Sequence, residues 1–276
     1  MTVGIVGLGL IGGSFAKAYK KANCTVLSYD IDSKMLGFAL LDGSVDSELS
    51  QDNIGKCDLI LLCLYPDAAV DYISRLAPYI SKDSYVIDCC GTKEKVCAAC
   101  FNIAKEYSFT FIGGHPMAGT QYSGYKYSKA TMFKGAYMVL VPPVFDDIVM
   151  LEKAKELLAP AHFGHFSVIG AKDHDKIIAF TSQLAHVVSN AYVKSPSARI
   201  HKGFSAGSYK DLTRVAWLNE EMWAQLCMEN RDNMMFELDN IINNLQKYKE
   251  ALKNENKDQL EQLFAEGKKI KNEIDG

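Results

Sequence analysis

Three groups of residues in this 276-residue chain have types and spacings suited to chemistry. The first is Gly7-Leu8-Gly9-Leu10-Ile11-Gly12, between a short β-rich run and a helical pattern. Gly7 permits a tight turn, Gly9 lets the backbone approach a pyrophosphate, and Gly12 lets a helix pack closely on a strand. The free N–H groups and dipole at the start of the following helix favour phosphate. Asp30 ends the next β-rich run, 18 positions after Gly12. A carboxylate there accepts the ribose hydroxyls of NAD and repels the 2′-phosphate of NADP, which predicts NAD as cofactor. The alternative for Asp30 is a helix cap, a task Asp32 or Ser33 could also perform.

The second group lies where ligands of a doubly wound sheet sit, beyond the carboxyl ends of the strands. Leu64-Tyr65-Pro66 is expected to flank the adenosine half of the dinucleotide. Gly113-Gly114-His115-Pro116-Met117-Ala118-Gly119-Thr120 reads as a loop in which the proline holds His115 extended and the glycines admit a ligand. An imidazole beside a nicotinamide can take a proton from a hydroxyl as its carbon gives up hydride. The alternative is an ordinary loop histidine.

The third group is in the C-terminal half. His186 stands in an apolar segment, with Gln183 one turn away on the same expected face. Arg214 follows Tyr209-Lys210-Asp211-Leu212-Thr213; buried and oriented by Asp211, its guanidinium would grip a carboxylate with two parallel bonds. A satisfied core histidine and a simple Arg214–Asp211 pair are the competing structural readings. His162-x-x-His165 and His174-Asp175 raise the question of a metal. On a strand, residues three apart point their rings to opposite faces and no third ligand is evident, so no metal site is expected.

Positioning these groups requires a layered fold. Strand-like runs at 3–6, 25–29, 59–64, 85–88, 109–112, 137–141 and 163–168 alternate with helical patterns at 12–21, 67–80, 94–106 and 148–158. That alternation predicts βαβ units around a largely parallel sheet. From residue 172 the pattern is helical, with 177–193 expected to be buried and 217–245 and 249–274 amphipathic. Two domains follow, 1–169 and 170–276, the second expected to bury apolar faces in another copy of the chain.

Composition agrees: 48% of residues are hydrophobic and 23% charged, enough for a packed core. With 30 Lys and Arg against 33 Asp and Glu, no basic field gathers nucleic acid or anionic lipid. Eight cysteines are too sparse for a disulfide scaffold and read as reduced thiols. With neither a signal-peptide pattern nor a long apolar run, the expectation is a cytoplasmic protein without membrane attachment.

Over nearly its whole length the chain resembles the prephenate dehydrogenase family, which includes arogenate-using members. The resemblance rests on G-L-G-L-I-G-G-S at 7–14, G-G-H-P-M-A-G-T at 113–120, His174-Asp175 followed by Ser182 and His186, and K-D-x-T-R-x-A at 210–216. It implies a Rossmann domain joined to a helical dimerisation domain, and NAD-dependent oxidative decarboxylation of prephenate to 4-hydroxyphenylpyruvate in tyrosine biosynthesis. By resemblance, His115 is the catalytic histidine, His186 orients substrate, Arg214 anchors a substrate carboxylate and Trp223 lies near the pocket. Two positions depart from the family pattern. Gly91 replaces a serine that contacts the catalytic histidine, leaving Thr92 or a water as substitute, and Gln183 replaces a second histidine. The length leaves no room for the regulatory or mutase domains of some relatives, so tyrosine is expected to act, if at all, as a competitive inhibitor. Thr120 and the neutral Gln121 are assigned to the substrate side, and Gln121 favours prephenate over the ammonium-bearing arogenate. A 3-hydroxyacid-type dehydrogenase would need Lys-x-x-x-Asn, but Phe180 follows Lys176 at that spacing. A non-catalytic NAD sensor would have no use for His115, His186 and Arg214.

Overall fold

The computed structural model describes residues 1–120 and 122–275. Its N-terminal half runs β1 (Thr2–Val6), α1 (Leu10–Lys21), β2 (Thr25–Tyr29), α2 (Ser33–Leu41), β3 (Ser47–Glu48), β4 (Leu59–Leu62), α3 (Pro66–Leu76), β5 (Tyr85–Asp88), α4 (Glu94–Tyr107), β6 (Thr110–Pro116), β7 (Tyr137–Val141), α5 (Ile148–Leu158) and β8 (His165–Val168). The sheet order is β3-β2-β1-β4-β5-β6-β7-β8. Every pair from β3 across to β6 is parallel, β7 is antiparallel to β6, and β8 is parallel to β7. The reversal of winding between β1 and β4 opens the crevice in which such sheets bind ligands.

Strand alternation sends side chains into two cores. Leu59 and Leu61 join Phe15, Tyr19 and Phe133 on one face, while Ile60 and Leu62 join Tyr72, Ile73 and Phe111 on the other. Burial on both faces explains why β4 is an unbroken apolar run.

Beyond the sheet the chain is helical: α6 (Ala171–Ile178), a π turn (Ala179–Leu184), α7 (Ala185–Tyr192), α8 (Gly207–Thr213), α9 (Glu220–Glu229), α10 (Arg231–Lys253) and α11 (Lys257–Asp275). The single amphipathic helix expected over 217–245 is instead two, broken at Asn230. That residue leaves helical geometry, and its buried amide donates to the Asp175 carbonyl and the Gln183 side chain. The helix expected over 249–274 is likewise interrupted between Lys253 and Lys257. Phe204, Trp217, Phe236, Leu245 and Leu252 are exposed in the single chain. No helix among the described residues is long and apolar enough to cross a membrane.

Candidate functional site

The glycine loop is fixed from both sides. Gly7 has φ +91°, in the left-handed region that favours glycine. A Cβ at Gly12 would collide with the Gly7 carbonyl oxygen, whereas one at Gly9 would meet nothing within 4 Å. Gly9 therefore leaves open space over the loop, next to the first turn of α1 that Leu10 and Ile11 begin. Asp30 accepts from the Leu8 N–H (2.6 Å) and the Asp32 N–H (2.8 Å). Asp32, not Asp30, caps α2, accepting from the Lys34 and Met35 N–H groups. Asp30 thus ties the loop to the end of β2, and its remaining lone pairs are available to hydroxyl donors. Leu64 packs against Gly7, Tyr65 is exposed, and Pro66 opens α3.

His115 lies on a strand, not in the loop expected from its glycines. β6 continues through Pro116 because β7 pairs with it, matching Gly113 to Val141 and His115 to Val139. The two glycines serve packing: a Cβ at Gly113 would crowd Cys97 and Val141, and one at Gly114 would strike Asp88, Ile87 and Met138. Beneath the strand, Lys93 and Asp88 form an ion pair with both side chains fully buried. Lys93 Nζ also donates to the Gly114 carbonyl (2.6 Å), and Asp88 accepts from the N–H groups of Gly114 (3.1 Å) and Cys90 (3.0 Å). Burial alone would lower the Lys93 pKa, but the Asp88 carboxylate outweighs it and raises it above the ordinary lysine value.

The His115 Nδ1 atom lies 2.9 Å from His174 Nε2, and His174 Nδ1 lies 2.7 Å from Asp175 Oδ1. Asp175 also accepts from the N–H groups of Lys93 (2.7 Å) and Glu94 (2.8 Å), capping α4 from the neighbouring lobe. Burial, reinforced by the proximity of the His174 ring and the Lys93 ammonium, lowers the His115 pKa well below that of ordinary histidine. An imidazole held neutral at the carboxyl edge of the sheet is suited to accept a proton. In the sequence alone, His174 and Asp175 stand out only as a metal pair or as part of a family motif. The adjacent His-Asp dipeptide was the available signal, but its partner is 59 positions away.

A second cluster lies roughly three turns along the same helical run. His186 donates from Nδ1 to the Ser182 carbonyl (2.8 Å), its Nε2 has no hydrogen-bond partner among the described residues, and its ring packs tilted against Trp223 with centroids 4.0 Å apart. Burial and the nearby charge of Arg214 lower its pKa, against the opposing effect of the Ser182 bond. Asn190, Trp217, Glu220, Trp223 and Cys227 line a cavity of about 490 Å³ beside this cluster.

Several expected contacts are absent. Gln183 is buried, donating to the Leu226 carbonyl (3.0 Å) and accepting from Asn230 (2.6 Å), so its amide is committed to the core. Gln183 lies within the π turn Ala179–Leu184, through which the α-helical spacing used to predict a face shared with His186 does not hold. Arg214 is exposed, and among the described residues no ion pair joins it to Asp211. Thr92 gives its hydroxyl to Glu229 (2.6 Å), so it does not replace the serine missing at Gly91. Thr120 makes a local turn with Tyr122, and Gln121 lies outside the described residues. All eight cysteines are free.

Residues 15–164 match the family described as prephenate dehydrogenase, nucleotide-binding domain, and residues 170–266 match its dimerization domain. Prephenate dehydrogenase of Lactococcus lactis is 29% identical, the alignment covering 97% of this chain and 75% of that protein. Cyclohexadienyl dehydrogenase of Zymomonas mobilis is also 29% identical, with 98% and 94% covered. The crystal structure of Aquifex aeolicus prephenate dehydrogenase with hydroxyphenyl propionate and NAD+ superposes with a TM-score of 0.85 at 27% identity, covering 100% of this chain and 98% of that one.

Proposed function

Because the chain belongs to the prephenate dehydrogenase family, we propose that it catalyses the NAD-dependent oxidative decarboxylation of prephenate to 4-hydroxyphenylpyruvate. The observation that carries this reading is His115: its Nδ1 is engaged by His174, and burial favours its neutral form, leaving Nε2 to act as base. His115 accepts the proton of the substrate's ring hydroxyl as hydride leaves C4, and the O–H electrons form a C4 carbonyl; the electrons of the breaking ring–carboxylate bond then aromatise the ring and return to that oxygen, which takes up a proton as carbon dioxide leaves. NAD, when bound, accepts the hydride from C4.

Gly7, Leu8, Gly9, Leu10, Ile11 and Gly12 cradle the pyrophosphate, Asp30 holds the ribose, and Leu64, Tyr65 and Pro66 border the adenosine side. The chain has a formal charge of −3, so a dianionic substrate needs placed cations, and Arg214 supplies one with His186 and Trp223 beside it. Exposure of Arg214 in the single chain leaves it free to meet a carboxylate. Residues 1–169 then bind the cofactor, and 170–276 hold substrate and join a second copy through exposed apolar side chains such as Phe236 and Leu245. The free thiols suit a reducing cytoplasm. Tyrosine, sharing the product's ring, would compete at the same site.

Turnover of purified protein on prephenate and on arogenate, each with NAD and NADP, tests the reading. It expects prephenate with NAD to be fastest; faster turnover of arogenate overturns the substrate assignment. His115→Asn should lose most turnover while binding NAD normally. An NAD sensor would be indifferent to the change.

A further inference from the structure

We propose that His174 and Asp175 are positioning residues that fix the tautomer of His115, so that Nδ1 carries the proton and Nε2 is the accepting atom. The proposal rests on the reading of His115 as the base. An ionised carboxylate only accepts, so the 2.7 Å contact with Asp175 Oδ1 puts a proton on His174 Nδ1. Neutral His174 then presents a lone pair at Nε2. The 2.9 Å contact with His115 Nδ1 therefore needs its proton on His115. A neutral imidazole has one N–H, so His115 Nε2 is bare. This is the reverse of the tautomer that predominates for free histidine in water.

Both rings are held by rigid elements. Asp175 is anchored by the Lys93 and Glu94 N–H groups, and its own carbonyl accepts from Asn230 (2.8 Å). His115 is fixed through Gly114, whose N–H and carbonyl are bound by Asp88 and Lys93. No other side chain competes from the β5–α4 turn: Gly91 offers only backbone, and the Thr92 hydroxyl is bound to Glu229. The ionisable groups gathered around His115 are His174 and Asp175 from α6, and Lys93 and Asp88 from the sheet edge. When Nε2 takes the substrate proton, that proton remains on His115 and no proton leaves His174 or Asp175. The new positive charge then faces Asp175 through the His174 ring, while Lys93 is already neutralised by Asp88.

The test is a 1H–15N correlation spectrum of protein labelled with 15N-histidine, at a pH where the rings are neutral. Only six histidines need assignment, and His115→Asn identifies the relevant one. Wild type should show His115 protonated at Nδ1, and His174→Leu should shift it toward Nε2–H. His115 protonated at Nε2 in wild type, or a tautomer unchanged in His174→Leu, overturns the proposal. The wild-type spectrum decides even if the variant does not fold. In turnover, His174→Leu should lower kcat by about 10²–10⁴-fold, the usual contribution of a positioned base, with NAD affinity unchanged. Imidazole added to His174→Gly should restore part of that loss, and failure of rescue in a folded, NAD-binding variant counts against the positioning role. Absence of dehydrogenase turnover in wild type would remove the functional reading while leaving the tautomer result intact.

Discussion

Lys93→Met is the perturbation most directly sized by the geometry. It deletes a cation with no solvent exposure whose partner, Asp88, is equally buried. Asp88 would keep its bonds from the Cys90 and Gly114 N–H groups but lose its counter-charge, and the Gly114 carbonyl would lose a 2.6 Å donor. Removing one member of a buried pair costs about 3–5 kcal/mol, because the other charge stays desolvated. For a chain of this size that lowers Tm by roughly 6–20 °C. Thermal melts and urea midpoints measure the loss, and an unchanged urea m-value would confirm that stability alone has moved. Adding Asp88→Asn should recover part of the loss, since no charge is then stranded. A Lys93→Met loss below about 1 kcal/mol, the scale of exposed pairs, would refute the claim that this pair is dry.

The low pKa of His115 keeps its neutral form populated below the ordinary histidine value of about 6.5, so kcat/KM should hold at pH 6.5 and fall only at lower pH. An acid limb centred at or above that value would contradict the assignment. The same shift links to folding: the unfolded chain binds more protons there, so stability should decline as pH drops from about 6.5 toward the folded-state pKa. Gly12→Ala forces a Cβ onto the Gly7 carbonyl oxygen, and about 1–3 kcal/mol of loop strain should weaken NAD binding by roughly 5- to 150-fold in calorimetry. Arg214→Ala should raise KM roughly 10- to 150-fold, the value of a charge-assisted bond, with little change in NAD affinity.

What the sequence made legible was local. The glycine loop, the end of β2 at Asp30 and the alternating elements follow from residue spacing, and they recur in the fold. The reach of β6 to His115 was hidden because Gly113 and Gly114 have turn composition, while the constraint on them comes from Val141, Cys97 and Asp88 elsewhere in the chain. The contact of His174 with His115 is likewise tertiary, joining α6 to β6. The burial of Gln183 is not legible either, because it lies in a π turn and its amide partners, Leu226 and Asn230, are 43 and 47 positions away. Asn230 sits in a helical pattern whose break becomes visible only through its buried amide partners.

In the proposed reaction His115 and Arg214 act on one substrate from opposite lobes. A crystal structure of the assembled protein with NAD and a non-reactive prephenate analogue tests it most directly. The account predicts His115 Nε2 within hydrogen-bonding distance of the analogue's ring hydroxyl, while Arg214, from the same or the partner subunit, pairs with one of its carboxylates. An analogue bound beside the nicotinamide with either side chain turned away from it would contradict the account.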